Sequence, residues 1–134
     1  MRLAPVGQTI DIASPVEGER LRLSAGERVL RLERLRFAGG NTRSFERSVF
    51  PIDRLAGVRL DQAQHLTLAE IAEQSGLELG RATERLSIVR PPAAIARRLA
   101  ASPTQQLLHI DRLTTTVDDV PIEWRIVYAM EISS

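Results

Sequence analysis

The residues best suited to chemistry lie between Val29 and Pro51, in the stretch VLRLERLRFAGGNTRSFERSVFP. Arg34 and Arg36 are one residue apart, and Glu46 follows on the far side of a Gly39-Gly40 pair. Two guanidinium forks can grip a carboxylate or phosphate bidentately. A carboxylate beside them accepts hydrogen bonds from hydroxyl or amine groups of the same ligand. This is binding chemistry. No catalytic centre is legible. The chain has no cysteine, which removes disulfides, thiolate metal sites and a Cys nucleophile. His65 and His109 stand far apart without metal-ligand spacing around them. There is no glycine-rich phosphate loop and no nucleophile elbow. The expectation is a non-enzyme that carries neither metal nor cofactor.

The element that must position these residues is a β-hairpin turning at Gly39-Gly40, where two glycines supply the positive φ angles of a tight turn. Its first strand has an odd phase. Leu30 and Leu32 occupy even positions, whereas Leu35 and Phe37 occupy odd ones. Arg34 and Arg36 therefore fall on the face of Leu30 and Leu32. Either a bulge near Glu33 returns both arginines to solvent, or both point towards an apolar interior, where an unpaired charge is costly. On the returning strand Ser44, Glu46 and Ser48 share a face. A strict two-residue turn pairs Glu46 with Glu33, off the arginine face; a longer turn or a bulge brings it across. The sequence leaves both choices open.

The rest of the chain frames this hairpin. Its 134 residues amount to one domain, and a hydrophobic fraction of 43% supports a packed core. All 18 basic residues are Arg, and the net charge of +1 argues against strong non-specific binding to nucleic acid or membrane. No run of ~18 apolar residues exists to span a membrane, and the N-terminus lacks a signal peptide's apolar core; a cytoplasmic location is expected. Residues 1–13 read as a linker or leading strand, with strand character at Gln8–Ile12. Ser14-Pro15-Val16-Glu17 and Thr67-x-x-Glu70 are capping boxes that open short helices. Pro91-Pro92 opens a third helix. Strands are expected within Leu77–Val89, Gln106–Val117 and Pro121–Met130. In the last of these, Ile122, Trp124, Ile126 and Tyr128 line one face, with Glu123 and Arg125 on the other. Mixed strands and short helices without a regular βαβ beat indicate an α+β fold, a mostly antiparallel sheet flanked by short helices. A competing reading takes residues 67–88 as a helix-turn-helix, because Ala72, Gly76 and Ala82 have about the spacing for close inter-helix packing, with Arg81 and Arg85 facing DNA. Glu70, Glu73, Glu78 and Glu84 offset those arginines.

Several strings, taken in order, resemble the UTRA effector-binding domain of bacterial GntR-type regulators of the HutC subfamily. They are Gly26 to Arg36, Ala38-Gly39-Gly40, Glu46 to Pro51, Glu84 to Ser87, Leu107 to Arg112 and Asp119 to Arg125. The resemblance implies a chorismate-lyase-like fold over residues 14–134 as a single effector-binding domain. It implies a homodimer, and a small anionic metabolite as ligand: a sugar phosphate, carboxylate or phosphonate. It assigns effector contacts to Arg34, Arg36, Glu46 and Glu123. Thr67 would supply a hydroxyl at a helix start where the family commonly has a Ser-Leu-Tyr string, absent here. Tyr128 stands one residue short of the family's usual tyrosine. DNA would be bound only through a winged-helix domain preceding this sequence. A lyase on the related fold is the enzymatic alternative.

Overall fold

The computed structural model describes residues 2–130. The chain runs β1 (Arg2–Ile12), α1 (Pro15–Leu21), β2 (Arg28–Ala38), β3 (Asn41–Pro51), α2 (Leu68–Gln74), β4 (Leu79–Val89), α3 (Ala93–Leu99), β5 (Leu107–Thr116) and β6 (Pro121–Ala129). Two 3-10 turns, Ile52–Arg54 and Leu60–His65, bridge β3 to α2. All six strands form one antiparallel sheet in the order β1-β2-β3-β6-β5-β4. This is the α+β architecture expected from the pattern.

The helices form where local chemistry opens them. In α1, Ser14 Oγ accepts from the Glu17 amide at 3.2 Å while the Glu17 carboxylate accepts from the Ser14 amide at 2.8 Å. In α2, Thr67 and Glu70 repeat the box. Each helix has seven residues, too few to persist alone, so packing onto the sheet must hold them. The sheet's two faces carry separate cores. On the first face, Leu30, Leu32 and Phe50 pack against Leu55, Ala63 and Ile71 from the 52–74 segment. On the second, α1 places Leu21 against Val29 and Val49, and α3 places Leu99 against Phe45 and Leu107. Full burial of each large aliphatic contributes roughly 2 kcal/mol.

Residues 2–12 form a continuous edge strand, well beyond Gln8–Ile12. Val6 bulges out of the register between Pro5, opposite Arg34, and Gly7, opposite Glu33. That bulge absorbs the proline, which has no ladder donor to offer. The helix-turn-helix reading is overturned. Residues 79–89 are a strand paired with β5, so no recognition helix occupies 79–88.

Candidate functional site

The hairpin settles its own register. Gly39 and Gly40 both have positive φ (60° and 81°), so the turn has two residues. Ala38 pairs with Asn41 and Phe37 with Thr42, but Arg36 pairs with Ser44. Arg43 is therefore a bulged extra residue, and below it Arg34 sits opposite Glu46 rather than Glu33. The phase break in β2 has no bulge of its own. Arg34 lies on the face of Leu30 and Leu32 and is only 5% exposed.

Arg34 is held from two sides. Its Nη2 donates to the carbonyls of Ala63 and Leu66, each at 3.0 Å, which ties the 63–66 turn to the sheet. Its Nη1 lies 3.9 Å from Glu46 Oε2. Arg36 Nη2 lies 3.8 Å from Glu46 Oε1, on a side chain that is partly exposed. Glu46 thus stands between two guanidinium groups, in ion-pair range but beyond hydrogen-bond distance of either. Burial pulls the Arg34 pKa below its usual value, with Glu46 opposing.

One strand over, Glu123 is fully buried and lies on this first face. Arg125 Nε and Nη2 donate to its Oε2 at 3.1 and 2.8 Å. Burial lowers the Arg125 pKa, but Glu123, Glu46 and Glu84 together outweigh that and raise it. Arg34 likewise feels Glu123 and Arg125. These side chains form one electrostatic cluster: Arg34, Arg36 and Arg125 against Glu46 and Glu123. Arg34, Glu46 and Glu123 are buried, whereas Arg36 is partly exposed. Arg34 Nε and Glu123 Oε1 are buried without a hydrogen-bond partner among the described residues, as are Thr114 Oγ1 and Arg112 Nε further along the same face. Buried polar groups are nearly always paired, so such a concentration calls for an explanation. The cluster sets guanidinium donors and carboxylate acceptors side by side.

Not every expected residue joins the cluster. Thr67 neighbours Leu66, whose carbonyl Arg34 binds, but its hydroxyl accepts from the Glu70 amide at 3.1 Å as the α2 cap. Tyr128 lies elsewhere. It pairs with Phe45 in the β3–β6 register and packs edge-on against His109, ring centroids 5.0 Å apart, on the second face. Glu123 and Tyr128 are five residues apart on one strand, and an odd spacing sends them to opposite faces. Conversely, Arg125 was missed as a candidate. Its signal was present: two residues beyond Glu123, it must share that residue's face. Among the described residues no group of three or more His, Asp or Glu could hold a metal, and no helix is long and apolar enough to cross a membrane.

Comparison with known proteins bears on the family and the fold. The UTRA domain family model matches residues 6–130. A GntR-family transcriptional regulator from Enterococcus faecalis superposes with a TM-score of 0.89 at 20% identity, over 99% of both chains. The ligand-binding domain of a putative GntR-family regulator from Bordetella bronchiseptica gives 0.87 at 23% identity, over 96% of this chain and 83% of that one. PhnF from Mycobacterium smegmatis gives 0.85 at 26% identity, over 95% of this chain and 57% of its own. The first two likenesses establish the fold. These neighbours are described as GntR-family transcriptional regulators or ligand-binding domains of such regulators in the first two cases. With the family match spanning nearly all of it, the chain belongs to the UTRA domain family.

Proposed function

We propose that this domain senses a small anionic metabolite for a GntR-type transcriptional regulator of the HutC subfamily. The effector lies on the first face of the sheet, with its anionic group between Arg34 and Arg36. Glu46 and Glu123 accept from its neutral or cationic groups, and Thr67 borders the site. The observation that carries this reading is the buried Arg34–Glu46 pair, held 3.9 Å apart, with Arg34 Nε lacking a hydrogen-bond partner among the described residues. An anion of the sugar phosphate, carboxylate or phosphonate class would give that donor an acceptor.

The domain works as a homodimer in the bacterial cytoplasm, and DNA is contacted through a winged-helix domain joined to it. Support for the dimer comes from β4. This edge strand exposes Leu86 (58%) and Ile88 (63%), large apolar side chains that a second copy would cover. Effector binding then shifts the population of dimer arrangements, and with it the spacing of the attached DNA-binding domains.

A thermal-shift titration with inorganic phosphate, glucose 6-phosphate, malate and a simple alkylphosphonate tests the reading. At least one of these anions raises the melting temperature of the native chain, and Arg36→Ala abolishes the response. A response left intact in Arg36→Ala refutes the site.

A further inference from the structure

The unpartnered atoms do not stop at the hairpin. Glu123 Oε2 is saturated by Arg125, but Oε1 of the same fully buried carboxylate has no hydrogen-bond partner among the described residues. Directly across the ladder on β5 stands Thr114, 3% exposed, whose Oγ1 is also unpartnered. Side chains opposite one another on an antiparallel pair have Cβ atoms roughly 5 Å apart. These two polar atoms therefore share one small locus, yet they do not bond to each other. Both lie on the face of Arg34, Arg36 and Glu46, displaced from them across β3 towards the middle of the sheet.

What would satisfy both atoms follows from their types. Glu123 Oε1 only accepts; the Thr114 hydroxyl has a proton to give and lone pairs to offer. A phosphate or carbonyl oxygen can take the threonine proton but is repelled by the carboxylate. An ammonium group can donate to both, and it leaves the threonine proton unused. A hydroxyl group does both jobs at once: it donates to Glu123 Oε1 and accepts from Thr114. We infer that Thr114 is a specificity-determining residue of the effector site, forming with Glu123 a locus for a hydroxyl group of the ligand. The effector is then a hydroxylated anion, recognised at two places: its charge by the hairpin arginines and its hydroxyl by the β6–β5 pair. This inference rests on the proposed effector site.

Thr114→Val tests it, because valine has the shape of threonine without the hydroxyl. In the ligand-free chain it removes a buried unpaired group, so the variant melts at or above the native temperature. Binding is then compared for malate against succinate, and for glucose 6-phosphate against 2-deoxyglucose 6-phosphate, with inorganic phosphate as the bare anion. In the native chain one hydroxylated probe binds at least about tenfold tighter than its deoxy partner, since a site built for a hydroxyl rejects the analogue lacking it. That preference vanishes in Thr114→Val and survives in Thr114→Ser. A preference that survives in Thr114→Val, or a ligand-free Thr114→Val that melts several degrees lower, overturns the assignment. If Arg36→Ala abolishes the anion response while Thr114→Val changes nothing, the effector site stands and only this inference falls. If the native chain answers none of the probes, both readings fall together.

Discussion

Two glutamates in this chain each sit between two arginines, and they are treated differently. Glu17, 4% exposed at its side chain, faces Arg31 and Arg47. Glu46, 6% exposed, faces Arg34 and Arg36. Residue types and burial nearly match; the contacts do not. Arg31 Nε and Nη2 donate to Glu17 at 2.7 Å each, Arg47 adds a contact at 3.5 Å, and the Ser14 amide completes the shell. Glu46 has its two arginines at 3.9 and 3.8 Å, with no hydrogen bond to either. The first triad is closed and ties α1 to β2 and β3. The second holds its charges apart, and Arg34 spends its donors on the 63–66 turn. The first triad is saturated by hydrogen bonds, whereas the second holds the same groups in ion-pair range without one.

This contrast can be broken by measurement. The largest effect is expected at the closed triad. Glu17→Gln leaves Arg31 with only the exposed Asp11, 3.6 Å away, as counter-charge and costs about 3 kcal/mol in urea unfolding. The same residue sets an acid dependence. The hydrogen-bonded Arg31, with help from the Ser14 amide, holds the Glu17 carboxyl down to about 2 against an ordinary 4.5. Its contribution is therefore fully present above pH ~4.5 and lost as pH falls towards ~2, amounting to about 3 kcal/mol. Unfolding midpoints followed between pH 5 and 2.5 should fall steeply in the native chain and less so in Glu17→Gln.

Next comes Arg34→Met, which removes both carbonyl contacts to the 63–66 turn and costs about 2 kcal/mol. Faster amide exchange in residues 60–67 should accompany it, and the anion response should weaken. Glu46→Gln is expected to cost about 1 kcal/mol or less. Its partners are distant, one of them is partly exposed, and the other has carbonyl partners already. Equal losses in Glu46→Gln and Glu17→Gln would mean that the second triad is as structural as the first. The smallest effect belongs to Tyr128→Phe. Lying on the opposite face, Tyr128 should leave every anion titration unchanged, with stability within ~0.5 kcal/mol. A weakened response would place the tyrosine in the site after all.

Much of this was legible because it is local. Ser14 with Glu17 and Thr67 with Glu70 form their capping boxes within four residues, so spacing alone reveals them. The odd phase of β2 was also readable: Leu30, Leu32 and Arg34 share a face by alternation, and the structure buries all three. Alternation along β6 was enough to separate Glu123 from Tyr128, a warning against carrying both into one site by family likeness. The segment 77–88 was less clear. Its turn glycines and arginines fit either a second helix or a strand, and only pairing with β5 decides.

By itself, then, the sequence determined the caps, a hairpin at Gly39-Gly40 and the alternating faces, and it left open the turn register and whether Arg34 and Arg36 face solvent or the interior. Tertiary structure decided where those charges meet. The Arg43 bulge turns Glu46 towards Arg34, and a bulge leaves no periodic trace. The carbonyls that hold Arg34 come from Ala63 and Leu66, and the hydroxyl opposite Glu123 comes from another strand. Local preferences act over a few residues, whereas cross-strand register depends on how the whole sheet closes. The identity of neighbours across the sheet is therefore fixed only on folding.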